Sequence, residues 1–200
     1  MDLENLPFKP IAAPDDTFRV PDLAEVVKGW RCWSLESKTL RYGLKPKLYS
    51  VAGTSGYFWV PRRESVAECN RVDKQHPSSD VPHDEASHLC GFYSAKTYKH
   101  LKTMPYWKYN EEVDGYFKIV GVVANWGKVI ECSLGWRAQK AYPNTLFIPY
   151  EAWRLARPLA ETYGVPVYLK NFLQAYGKER LGETDDDVAV VAAGNTKGAS

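Results

Sequence analysis

Nowhere in the 200 residues does an apolar run approach the ~18 residues needed to cross a bilayer as a helix, so no membrane span is expected. The first residues, MDLENLPFKP, lack the basic start and apolar stretch of an export leader. Cysteine is scarce: Cys32, Cys69, Cys90 and Cys132 are the only four, and no Cys-x-x-Cys occurs. These absences point to a reducing, cytoplasmic setting without disulfides. Neither GxxxxGK nor GxGxxG is present, which removes the glycine-rich loops that cradle nucleotide phosphates. No internal repeat is visible, and no constellation of acid, base and nucleophile emerges, so a non-catalytic protein is expected.

Aromatics, by contrast, are plentiful: seven Trp, thirteen Tyr and seven Phe bring them to 14% of the chain, enough for stacking surfaces as well as for a core. The net charge of +2 is unevenly placed. Residues 1–29 hold three Lys/Arg against six Asp/Glu, and residues 178–200 three against five, which leaves +7 for residues 30–177. A mildly basic centre between acidic ends suits an anionic partner without being a strong nucleic-acid footprint.

Three regions follow: an irregular, proline-rich arm over 1–20, a single α+β domain over 21–177, and an acidic, small-residue tail over 178–200 that is expected to be disordered. PDLAEVVKGW carries the end signals of a short helix, with Pro21 and Asp22 at its start and Gly29 at its close. Short β-type runs then succeed one another as WRCWSLE, TLRYG, KLYSVA and YFWV. In the first, alternation places Trp30, Cys32 and Ser34 on one face and Arg31, Trp33 and Leu35 on the other, making Cys32 a core residue.

Residues 71–88 form a long polar loop, followed by a strand ending in LCGFYS and a short basic helix in SAKTYKHLKTM. The continuous apolar run from Ile119 to Ala124 reads as a strand buried on both faces. Asn125-Trp126-Gly127 reads as the tight turn of a central hairpin whose return strand carries Cys132 into the core. In YEAWRLARPLAETYG, Ala152, Leu155, Ala156, Leu159, Ala160 and Tyr163 recur with helical period. Pro158 predicts a kink or a second helix beginning there. VPVYL reads as a last short strand and NFLQAYG as a turn of helix.

Two side-chain sets compete for function. Cys69, His83, His88 and Cys90, with His76 nearby, are ligand types that zinc prefers, but their spacing matches no common finger or ribbon. No cofactor is expected, and zinc is the one metal these residues suit. His88 two residues before Cys90 invites a thiol nucleophile, yet no third residue orients the pair. Carboxylate pairs such as Glu111-Glu112 and the run Asp185 to Asp187 read as solvated surface.

The second set interleaves aromatics with cations: Trp30, Arg31, Trp33, Lys38, Arg41, Tyr42, Lys45, Lys47 and Tyr49 in one segment, Lys96, Tyr98, Lys99, Lys102, Trp107 and Lys108 in another. Rings that stack on bases beside cations that meet phosphates hold single-stranded nucleic acid or an extruded base. The same residues also serve as ordinary core and solvated surface.

LCGFYSAK, WGKVIECSLGWRAQKAYP and YGVPVYL resemble segments of a family of uncharacterised proteins from actinobacteria and their bacteriophages, over about residues 29–168. The shared elements are a tryptophan-rich start, Trp59-x-Pro61, Cys69, a His/Pro loop, a Cys-Gly-x-Tyr motif, and WGxV followed by GxRAxxAYP. Where that family has Cys-x-Cys-Gly, this chain has His88-Leu89-Cys90-Gly91. The resemblance implies a phage-encoded protein acting in the host cytoplasm and carries no activity with it.

The expected architecture is a curved, mostly antiparallel sheet or small β-barrel flanked by short helices, analogous to the PUA, ASCH and YTH barrels that read nucleic acids or modified bases. On this expectation Trp126, Trp136, Arg137 and Tyr142 line a concave ligand site, with Tyr93 and Trp59 beside it and Lys96, Lys99 and Lys102 meeting phosphates. A protein of the host, bound through exposed aromatic anchors, is the alternative partner.

Overall fold

The computed structural model describes residues 26–51, 57–69, 77, 80–83, 90–105, 107 and 115–184. The arm over 1–20, His76, His88 and the run Asp185 to Asp187 lie outside the described residues. The fold is α+β, with seven strands in one curved sheet. Its frame is made of β1 (Val27–Glu36), β5 (Tyr116–Glu131) and β6 (Gly135–Ile148). Between them in the chain come α1 (Lys38–Tyr42), β2 (Leu48–Ser50), β3 (Ser65–Val66), β4 (Phe92–Ala95) and α2 (Tyr98–Thr103). After β6 follow a 3-10 helix (Tyr150–Leu155), α3 (Ala156–Tyr163), β7 (Val167–Leu169) and α4 (Leu173–Leu181).

All pairings between these strands are antiparallel except β7, which lies parallel to β6. β1 pairs with β5, β5 with β6, β6 with β4, and β4 returns to β1 through Trp30 and Ala95, so four strands form a ring of bonded neighbours. No helix among the described residues is long and apolar enough to cross a membrane.

The alternation in β1 sorts its side chains into two cores, one on each face. Trp33 and Leu35 join Trp59, Ile119, Tyr142 and Leu146 against residues of the 3-10 helix and α3. Trp30 and Cys32 join Val120, Val122 and Phe147 against Tyr98 and Leu101 of α2 and Leu173 and Tyr176 of α4. Cys32 is fully buried, and burial pushes its thiol up to about 12. The six periodic positions from Ala152 to Tyr163 are all buried, and Pro158 falls in the first turn of α3, where its missing N–H costs no helical bond.

Several sequence expectations are overturned. Val27 to Trp30 are strand, not the end of a helix, because β1 is held by an unbroken ten-residue ladder to β5, from Val27 opposite Asn125 to Glu36 opposite Tyr116. TLRYG lies in α1 and its closing glycine, not in a strand. Only Phe58 of YFWV bridges to Tyr49. Asn125-Trp126-Gly127 does not reverse the chain, since β5 continues to Glu131 and the hairpin turns at 132–134. The ladder slips between Trp126 and Val129, so two residues of β5 oppose one of β6, and Gly127 takes φ 72° there. A bulge and a tight turn ask for the same positive-φ residue, so sequence chemistry does not distinguish them.

Asn125 shows why the bulge prevails. It is fully buried, and its amide donates to the Val27 carbonyl and to Ser94 Oγ, both at 3.0 Å, which ties it to β1 and β4. Cys132 is therefore a half-buried tip residue and not core, and Leu134 beside it is 42% exposed. At the C-terminal end, α4 runs to Leu181, and Glu183 is buried rather than part of a free tail.

Candidate functional site

The residues expected to form one concave site are divided by the sheet. Trp59 and Tyr142 are fully buried and Trp126 is 3% exposed, all within the core under α3. These three offer no ring face to a ligand, which corrects their assignment as site residues. Inward-facing positions of this sheet needed large aromatics, and Trp59 packs edge-on to Trp33 with ring centroids 5.6 Å apart.

The rest of the expected set lies around β4 and β6. Tyr93 pairs with Arg137 across these strands and Ser94 with Trp136. Arg137 is 6% exposed, while Tyr93 and Trp136 are half-buried. Burial raises the Tyr93 hydroxyl above its ordinary range, partly offset by the Arg137 guanidinium that bonds it. Lys96 lies 5.2 Å from the Trp136 ring centroid, but its ammonium is also in a 2.5 Å ion pair with Glu131. Lys99 is exposed on α2, and Lys102 sits 5.0 Å over the Tyr98 ring. Desolvation, and then the neighbouring Lys170, lower Lys102 below its ordinary range. These cations surround a sheet end whose two rings, Tyr93 and Trp136, are half-buried.

The Cys/His set does not assemble among the described residues. The His83 backbone N–H donates to Cys90 Sγ at 3.3 Å, and Cys69 and Cys90 pack against the core. No group of three His, Cys, Asp or Glu able to hold a metal occurs among the described residues, and no disulfide joins any of the four cysteines.

An unforeseen feature is a groove of about 730 Å³ between α1 and α3. It is lined from α1 and the loop after it by Leu44 and Lys45, from the segment before β3 by Pro61 and Arg62, and from the last helices by Arg154 and Glu161. Among the described residues, three cations and one carboxylate thus line the groove. Next in the chain to lining residues stand two exposed rings: Tyr42, 63% exposed with the Arg41 guanidinium 5.5 Å from its centroid, and Trp153, 48% exposed with that of Arg154 at 5.6 Å.

The groove wall is held from inside the core. The Tyr163 hydroxyl accepts from the Leu48 N–H at 2.7 Å and donates to the Trp59 carbonyl at 3.0 Å. The Tyr142 hydroxyl accepts from the Arg62 N–H at 2.6 Å and donates to the Tyr163 carbonyl at 2.8 Å. Arg62 itself has φ 55°, a region that non-glycine residues rarely occupy, and its Nη2 donates to the Glu161 carbonyl at 2.9 Å. Strain of this kind persists where the surroundings over-determine it.

Trp153 and Arg154 had a legible signal. They fall outside the apolar period of their helix, and a tryptophan on the polar side of an amphipathic stretch is a surface ring beside a surface cation. Arg62 had none, because nothing local announces a positive φ at an arginine.

No protein family, curated protein or solved structure matches this chain.

Proposed function

We propose that the protein is a non-catalytic nucleic-acid-binding module that works through the groove between α1 and α3. The observation that carries this reading is the pair of exposed rings, Tyr42 and Trp153, each accompanied by an arginine and each next in the chain to a residue lining a groove in which, among the described residues, Lys45, Arg62 and Arg154 outnumber Glu161. A base can stack on the open face of such a ring while the cations track the phosphates. The basic centre of the chain supports the same reading. On this proposal the module acts in the cytoplasm of an actinobacterial host, as the resemblance to phage proteins implies.

Tryptophan fluorescence during titration with short DNA and RNA, single- and double-stranded, at two salt concentrations tests it. Saturable quenching that weakens steeply with salt is expected, because each neutralised phosphate releases a counterion. Trp153→Ala should remove most of the quench, whereas Trp136→Ala should keep it. Absence of quenching at low salt with every ligand sinks the reading. The exposed Leu44 and Val60 near the groove would then favour a host protein as the partner, to be sought by pull-down.

A further inference from the structure

We infer that the groove takes a single strand rather than a duplex, with one phosphate seated against Arg62 and unpaired bases stacked on Tyr42 and Trp153. The inference rests on the nucleic-acid reading above and names its ligand class. Three features of the site converge on it.

First, the exposed rings select against a duplex. In a double helix both faces of an internal base are covered by its neighbours, so a protein ring finds a partner only where bases are unstacked. Tyr42 and Trp153 have an arginine near one face and substantial exposure, which leaves ring surface for a base. Second, the elements that border the groove are too short to read a duplex. Helix α1 has five residues, under two turns, and the 3-10 helix has six; neither can lie along a major groove as a recognition helix does.

Third, Arg62 is held in place before any ligand arrives. Its backbone is pinned by the Tyr142 hydroxyl in the left-handed region, and its guanidinium is bound to the Glu161 carbonyl at the groove wall. With its backbone fixed in this way, the arginine presents from a set position a planar fork that matches a phosphate. Tyr142 and Tyr163 are on this view positioning residues. They act through Arg62 and through the Leu48 and Trp59 backbone, and do not touch the ligand.

The test is fluorescence anisotropy with labelled 12-nucleotide oligo(dT), oligo(rU) and a 12-base-pair duplex, across a salt series. The single strands should bind about tenfold more tightly than the duplex, and comparison of the two strands separates DNA from RNA as the source. Trp153→Ala should weaken single-strand binding on the order of tenfold, the usual loss for one stacked base, and leave duplex binding unchanged.

Arg62→Gly provides a variant that keeps its fold, since glycine occupies φ 55° without strain. It should weaken the single strand several-fold and reduce the slope of log K against log salt by about 0.7, one phosphate contact. Its urea midpoint should stay level or rise. Equal affinity for strand and duplex, with no effect of Trp153→Ala, would overturn the single-strand inference while leaving nucleic-acid binding in place. Unchanged affinity and slope in a folded Arg62→Gly would remove the phosphate seat. Binding to none of the three probes would overturn the nucleic-acid reading itself.

Discussion

Tyr142 and Tyr163 hold their hydroxyls in the core by burial, and each hydroxyl both accepts from and donates to backbone of distant segments. Removing such a group strips partners from buried donors and acceptors, so Tyr142→Phe should cost about 1–3 kcal/mol in urea unfolding. Burial pushes the Tyr142 hydroxyl up to about 12 and raises Tyr163 further still. An unfolded tyrosine ionises near pH 10, so above that the unfolded chain sheds protons that the folded protein keeps. The contribution of these tyrosines is therefore intact below pH 10 and falls as pH rises toward 12, by about 1.4 kcal/mol per pH unit for each such group. Cys32 adds the same effect from its ordinary value of 9.0 upward. Urea midpoints at pH 8, 10 and 11 should trace this decline, and Tyr142→Phe should make it shallower. The same two tyrosines show how little a residue type says of its role. In the sequence Tyr142 and Tyr42 are equally good stacking rings; the first is fully buried and the second is 63% exposed.

Strand β5 carries the two cores on opposite faces, and its central Gly121 marks where the backbone of β6 comes closest. A Cβ there would lie 2.2 Å from the Thr145 carbonyl oxygen and 3.0 Å from the Trp33 ring. Gly121→Ala should therefore push the two longest strands apart and destabilise by about 3 kcal/mol, the upper end for overpacking, read as a lowered thermal midpoint. The apolar run around this glycine was legible as a doubly buried strand because every residue from Ile119 to Ala124 is apolar or glycine. Its far end was not. Gly127 answers to a bulge as readily as to a turn, and the length of strand beyond it depends on Ala138 and Arg137 being opposite. The helix expected through Trp30 failed for a related reason: end signals are local, but the ten-pair ladder with β5 lies about ninety residues away in the chain.

The chain closes on itself through Glu183. Its buried carboxylate accepts from the Trp30 indole N–H of β1 and, at 3.2 Å, from the Tyr98 N–H at the start of α2. A carboxylate at that position suits the positive end of a helix, and it fastens the end of α4 across the second core. Glu183→Ala should cost about 2 kcal/mol and speed amide exchange in α2 and α4 more than in β5. The surface pair Lys140–Glu64 is exposed enough that removing it should change stability by less than about 1 kcal/mol. From composition alone Glu183 looked like one more charge in an acidic tail. Its role exists only because β1, α2 and α4 meet.

The pattern of apolar residues was sufficient for the α+β class, the two-faced packing of β1, the buried face of the last helices and the placement of Cys32 in the core. Each of these follows from periodicity along a few neighbouring residues. Which aromatics stay open to solvent, where the hairpin turns, and that Arg62 stands strained in a basic groove all depend on contacts between segments far apart in the chain. A ring's exposure is set by what the fold lays over it, and no local spacing encodes that.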